Sequence, residues 1–409
     1  MSLRRIIKTL GAIGPAVLVS VELFDPASIV TATAAGAAYG FQVLWAAFYS
    51  GMLLIIIQEI SARVGVVTGN TLAENIYQKY GKRYSFSLFV PSVFLEFATL
   101  TAEVMGLSLA VSFASGMPYS FSVLASISLV AVLTYFGSYK VLEKVIVFFV
   151  TIIFLAYLFF AFDLNIPLGG IVFNSLVPPL NGNSLYYAEA IMGASIMPTY
   201  VILHSGLVYE KGWIHHHEKG VEELVAEQKG VASEKIDSVV SLLLGTILNI
   251  VIIASAAVLM SGLKIASFLD IAYPFYSRLG SLGLALFTLA FGLAGIAAIV
   301  TVGLGSVYST FGYLGYEEKL KKRGFKLVFI VWLLIAGIGS FLPNQIEVMV
   351  FTQYLNGALL PFIVLPLLVI GRNKGVMGRY KLGKITTMAA IATIIITTLL
   401  FVGSLISLI

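Results

Sequence analysis

The chain has no cysteine, so neither disulfide staples nor thiolate metal ligands are available to it. Charge is scarce as well. Asp, Glu, Lys and Arg make up 11% of the 409 residues, where a soluble domain carries about a quarter. Only four histidines occur, and His215, His216 and His217 stand side by side in "EKGWIHHHEKG". Glu218 follows them with no histidine at zinc-protease spacing, so the stretch reads as a solvated cytoplasmic loop. GxSxG and protease-spaced aspartate pairs are missing too, which argues against an intramembrane enzyme. No signal-peptide pattern stands at the start; Arg4, Arg5 and Lys8 simply precede the first apolar run.

What the chain has in abundance is hydrophobicity: 59% apolar residues and a mean hydropathy of +0.98. A bilayer crossing needs about 20 apolar residues. On that rule there are eleven candidate spans, centred near residues 24, 54, 98, 128, 152, 197, 248, 295, 333, 357 and 396. With the N-terminus in the cytoplasm, all but Lys264 and Arg278 of the 25 basic residues fall in inside segments, as the positive-inside rule requires. The expectation is an all-α integral membrane protein, one domain over 1–409, with a cytoplasmic N-terminus and an external C-terminus. A monomer in a cell membrane is expected, its partner the lipid bilayer and not nucleic acid. The connection from Asp163 to Tyr186, with "LVPPLNGNS", reads as an external loop.

Two spans are interrupted. The first carries "VELFDPASIV", with Asp25 and Pro26 at its centre, and the sixth carries "AIMGASIMPTYVILHS", with Pro198 at its centre. Proline lacks the N–H that closes a helical turn, so carbonyls around Leu23 to Asp25 and near Ala194 lose their partners. Orphaned carbonyls persist at membrane depth only where they line a polar cavity. If spans one to five (about 10–165) and six to ten (about 185–370) are repeats, both breaks fall in the first helix of a repeat. The last helix, about 383–408, would then be an addition. An odd number of spans per repeat inverts the second half, and breaks at matched positions point to a transporter's central site. A cation between the breaks would offset the cost of Asp25 and occupy the freed carbonyls. Met197, beside Pro198, offers a thioether that suits transition metals more than Mg²⁺ or Ca²⁺. Glu22, one turn before Asp25, shares its face and reads as a second metal ligand, a proton carrier or a neutral buried acid.

These residues resemble a known family. "GAIGPAVLVSVELFDPASIVTATAAGAAYGFQVLW" is similar to the first helix of the Nramp transporters, with its Asp-Pro-Gly-Asn hallmark, and "MPTYVILHSGL" to their sixth-helix Met-Pro-His motif. Further echoes are "QEISARVGVVTGNTLAE", "ATLTAEVMG", "DSVVSLLLGTILNIVI" and "TQYLNGALLPFIVLPL". The resemblance implies a LeuT-like 5+5 inverted repeat with broken helices one and six, and import of Mn²⁺ or Fe²⁺ by alternating access with proton coupling. The divalent metal is substrate, and no cofactor is implied. It further implies a metal site of Asp25, Ser28, the Ala194 carbonyl, Met197 and Gln353, with Glu103 and His204 on the proton side. Four positions depart from the family pattern. Ser28 replaces a ligating asparagine, Ala27 a glycine, Thr199 a histidine and Leu100 an aspartate of the proton route. The altered ligand set leaves Mg²⁺ or a small organic solute as the alternative substrate, although Met197 disfavours the first and Asp25 an organic anion.

Overall fold

The computed structural model describes residues 24–136, 151–160, 162–164, 168–179, 182–210, 243–316 and 323–407. Glu22, the first half of span one and the three adjacent histidines lie outside them. Among the described residues every regular element is a helix. They run α1 Pro26–Tyr39, α2 Leu44–Thr68, α3 Leu72–Ser115 and α4 Tyr119–Phe136. After α5, Thr151–Phe160, come α6 Leu168–Leu176, α7 Leu185–Ser195 and α8 Pro198–Glu210. Next are α9, Leu243–Leu259, and α10 Phe268–Leu314, α11 Arg323–Gly339, α12 Gln345–Leu359, α13 Pro361–Arg372 and α14 Lys384–Ser407. Five stretches are long and apolar enough to cross a bilayer: Pro26–Thr68, Leu72–Ser115, Phe268–Leu314, Gln345–Arg372 and Lys384–Ser407. The chain is a multi-pass membrane protein.

Local chemistry sets the helix ends. Thr71 and Glu74 close a capping box at the start of α3, and Ser267 and Asp270 do so for α10, each satisfying two orphan donors. Gly69, Gly116 and Gly315 end α2, α3 and α10 with positive φ, a geometry that costs glycine little.

Three departures from the sequence reading stand out. The helices at the third and eighth spans run 44 and 47 residues, more than one crossing needs. Each is two helices joined at a bend, Gly81 (φ 78°) in α3 and Gly280 (φ 58°) in α10. The connection read as an external loop contains α6, Leu168–Leu176; its Pro- and Gly-rich flanks concealed nine helix-forming residues. The tenth span bends between α12 and α13 at Leu360–Pro361, where Leu360 keeps helical φ and ψ but Pro361 has no N–H to continue the ladder of α12.

Close helix contacts position the site. A methyl on Gly193 of α7 would land on the Gln353 carbonyl and the Gly357 backbone of α12, so these two helices meet backbone to backbone, the contact small residues permit within a bilayer. A methyl on Gly106 of α3 would strike the Pro26 ring, which presses the start of α1 against α3. Two ion pairs stand at the surface. Lys264 pairs with Glu347 at 2.8 Å and Arg278 with Asp163 at 3.0 Å.

Candidate metal centre

Asp25 ends an extended turn (φ −67°, ψ 156°) and caps α1, with Pro26 at the first helical position. Its Oδ1 accepts the Ser28 backbone N–H at 2.5 Å, and its Oδ2 accepts the Ser28 hydroxyl at 2.9 Å. Both residues are buried. The second break lies opposite. α7 stops at Ser195, Ile196 leaves helical geometry (φ −115°, ψ 70°), and α8 restarts at Pro198. The Ala194 carbonyl is therefore free of a helical partner, and the Ser28 hydroxyl stands 3.4 Å from it. One serine oxygen thus sits between a carboxylate of the first break and a carbonyl of the second. Ser195 is tied to α2 by the Ser50 hydroxyl at 2.9 Å, which steadies the break from the other side.

The other expected residues divide into near and far. The Glu103 carboxyl of α3 adjoins that of Asp25, and it is fully buried. Met197 lies in the broken turn, buried with Leu100, Val104 and Leu107 of α3. Leu100 thus lines an apolar face that an aspartate could not. Gln353 is buried on α12, its backbone oxygen against Gly193, one residue from Ala194. Its side-chain Oε1 accepts from Asn356 Nδ2 at 3.0 Å, and Asn356 Oδ1 accepts from the Thr99 hydroxyl at 3.1 Å. The Gln353 amide nitrogen has no partner among the described residues.

His204 and Thr199 are not gathered at Asp25. His204 Nδ1 meets the Gln58 side-chain oxygen of α2, and Thr199 turns its methyl to Gly305 of α10. Glu59 pairs with Arg63 one turn on, as its place near the end of α2 suggests. Glu189, which from the sequence starts the sixth span and reads as an acid favoured by a helix N-terminus, stands deeper. It is not in the first turn of its helix but is the fifth residue of α7, fully buried and folded over Gly357 of α12. The helix begins at Leu185, so its N-terminal dipole lies a turn away.

Among the described residues no group of three His, Cys, Asp or Glu side chains gathers to hold a metal. The donor set here is one carboxylate, a hydroxyl, a freed carbonyl, a thioether and an amide. Two supporting residues, Asn356 and Thr99, were missed in the sequence; the Gln-Tyr-Leu-Asn spacing, with Asn three residues after Gln353, was the available signal.

Comparison with known proteins shows the family and the fold. Residues 16–407 match the family profile described as Nramp, natural resistance-associated macrophage protein-like. The chain is 28% identical over 404 residues to the divalent metal cation transporter MntH of Mesorhizobium japonicum, covering 95% of this chain and 87% of that protein. It is 27% identical over 395 residues to MntH of Bacillus subtilis, with 95% and 90% covered. Its fold is like that of the Eremococcus coleocola manganese transporter, with a TM-score of 0.77, 20% identity, and 98% of this chain and 87% of that chain covered. It is also like the nucleobase-cation symporter Mhp1, at a TM-score of 0.57 and 15% identity, with 97% and 89% covered. With the profile spanning nearly the whole chain, this protein belongs to the Nramp family, whose members are membrane transporters and not enzymes.

Proposed function

We propose that the chain is a secondary active transporter that imports a divalent transition-metal cation, Mn²⁺ or Fe²⁺, by alternating access, with protons moving alongside. The observation that carries this reading is the Ser28 hydroxyl lying 2.9 Å from Asp25 Oδ2 and 3.4 Å from the Ala194 carbonyl. Neighbouring ligands of an octahedral cation with bonds of about 2.1–2.4 Å stand about 3.0–3.4 Å apart. The two separations from the Ser28 oxygen, one to each break, lie close to that spacing. Met197 would add a soft donor, which favours Mn²⁺ or Fe²⁺ over Mg²⁺. Gln353 would join once its amide turns from Asn356. The names of the MntH relatives support the same substrate class.

In this reading eleven spans form two inverted repeats of five plus one added helix, with the N-terminus cytoplasmic. Glu103, beside Asp25, accepts a proton when the metal leaves. Glu22 is a second carrier or ligand one turn before Asp25, and His204 and Thr199 support the path through α8. A Glu22→Gln protein with unchanged uptake and unchanged pH dependence would remove Glu22 from both roles.

A second reading keeps the site and changes the ion to Mg²⁺. Most of the donors are hard oxygens, and Met197 sits among leucines and a valine. Calorimetry with Mn²⁺, Mg²⁺ and Ca²⁺ on the purified protein and on Asp25→Ala separates the two. Mn²⁺ binding that weakens by at least about 100-fold in the variant, roughly 2.7 kcal/mol, supports transition-metal transport. Mg²⁺ binding equal to or tighter than Mn²⁺ favours the second reading. A wild type that binds none of the three ions overturns both.

A further inference from the structure

One face of α3 carries Ser85, Ser92, Glu96, Thr99 and Glu103, all buried. Steps of three, four and seven residues keep these positions on one side of a helix. One end of the row meets the candidate metal centre, where Glu103 adjoins Asp25 and Thr99 donates to Asn356. The other end meets the last turns of α10. Ser85 donates to the Tyr313 carbonyl at 2.7 Å, and the Tyr313 hydroxyl stands beside Ser92, with Glu96 one turn further along the same face.

Glu96 lies between these ends. It is 1% exposed, with the Ser309 hydroxyl of α10 next to it. Neither carboxyl oxygen has a hydrogen-bond partner of good geometry among the described residues. Among the described residues no basic side chain forms an ion pair with it: Arg63 is held by Glu59 and Lys264 by Glu347. Tyr313 is the titratable group α10 presents to it. On α8, His204 is engaged by Gln58, while Lys326 of α11 and Arg372 of α13 stand in the end turns of their helices.

A buried carboxylate with no counter-charge and only a poorly aligned hydroxyl beside it costs several kcal/mol, and packing alone would be served as well by an apolar side chain. Binding a proton removes that cost. A divalent cation would not suit the position, because it asks for about six oxygens, and one carboxyl with two hydroxyls falls short. The neighbouring face of α3 is closed to charge by Leu100, packed with Met197.

We infer that Glu96 is a proton-carrying station of the transport cycle, relaying between the Asp25 end of the α3 row and the Tyr313 end. Each transfer forms an O–H bond on Glu96 and breaks one on the hydroxyl or water beside it; no electron moves. Glu96 and Glu103 are seven residues apart, about 10.5 Å along the axis, so the Thr99 hydroxyl or a water must stand between them.

This inference rests on the transport reading, and its test separates the two. Purified wild type, Glu96→Gln and Glu96→Asp are placed in vesicles, with Mn²⁺ influx and internal acidification followed by separate dyes, and Mn²⁺ affinity measured by calorimetry. Glu96→Gln is expected to keep its Mn²⁺ affinity within about twofold while metal-driven acidification falls at least about tenfold, and Glu96→Asp to restore part of it. Tyr313→Phe serves as the second variant should Glu96→Gln not fold, with a smaller loss of acidification expected. Acidification unchanged in Glu96→Gln, or in Tyr313→Phe where that stands in, overturns the assignment. Wild type that carries Mn²⁺ without moving protons also overturns it and leaves the metal reading intact. Wild type that neither binds nor carries Mn²⁺ overturns both.

Discussion

Replacing Ser28 with alanine isolates the oxygen that links the two breaks. The Ser28 hydroxyl donates to Asp25 Oδ2 at 2.9 Å and reaches toward the Ala194 carbonyl, while its backbone N–H separately holds Oδ1. Ser28→Ala therefore leaves the start of α1 capped and removes one contact from each state of the site. The empty site loses a hydrogen bond to a carboxylate, worth about 1.5–3 kcal/mol. The occupied site loses a metal ligand, and a water takes its place at an ordering cost of about 0–2 kcal/mol. The first loss works against the second and is the larger of the two, so Mn²⁺ affinity should hold or rise, falling by no more than about twofold. The metal-free protein should melt at a lower temperature than wild type. Ser28→Asn, which offers an amide carbonyl in place of the hydroxyl, should bind Mn²⁺ at least as tightly as wild type. Calorimetry and a thermal melt on the same preparations check all three. Ser28→Ala with a Mn²⁺ affinity more than about twofold below wild type, or with a wild-type melting temperature, would refute this account of the Ser28 oxygen.

Other outcomes follow from the same geometry. Met197→Ala removes the soft donor, so the Mn²⁺-over-Mg²⁺ preference in competition uptake should fall about tenfold, with Mg²⁺ uptake itself unchanged or raised. Gly193→Ala drives a methyl into the Gln353 carbonyl and Gly357; a backbone clash of this kind should abolish folded protein or sharply lower its melting temperature, read by size-exclusion chromatography and thermal melts. Asn356→Ala frees the Gln353 oxygen from its tether, and transport should slow without loss of folded protein. The Glu347 carboxylate holds the Lys264 ammonium above the ordinary lysine range. The pair is complete at neutral pH; it is lost as pH rises through the raised lysine value and, at the acid end, as Glu347 takes up a proton at a lowered value. Lys264→Ala should therefore leave the melting temperature unchanged at neutral pH, as exposed pairs contribute little.

The central features were legible because proline and acids are conspicuous in an oily chain. Pro26 and Pro198 announced both helix starts, and Asp25 announced a buried acid at the first of them. Arg63 four residues after Glu59 announced their pair. Less was legible where the cause lies in distant packing. Asn356 holds Gln353 because Thr99, 257 residues away in sequence, reaches its other end, and no local pattern contains that contact. Glu189 was read as a first-turn acid because the start of α7 was unknown; the helix begins four residues earlier, and Glu189 is buried against Gly357 instead. The bends at Gly81 and Gly280 escaped because glycine is common in this chain and only a positive φ distinguishes these two. α6 escaped because its nine residues lie between turn-forming sequences.

The most direct test of the account is the anomalous scattering of Mn²⁺ in crystals of the wild-type protein. The account predicts a peak between the start of α1 and the α7–α8 break, about 2.1–2.5 Å from an Asp25 carboxylate oxygen and from the Ala194 carbonyl. A peak elsewhere, or none at Mn²⁺ concentrations that saturate uptake, would contradict it.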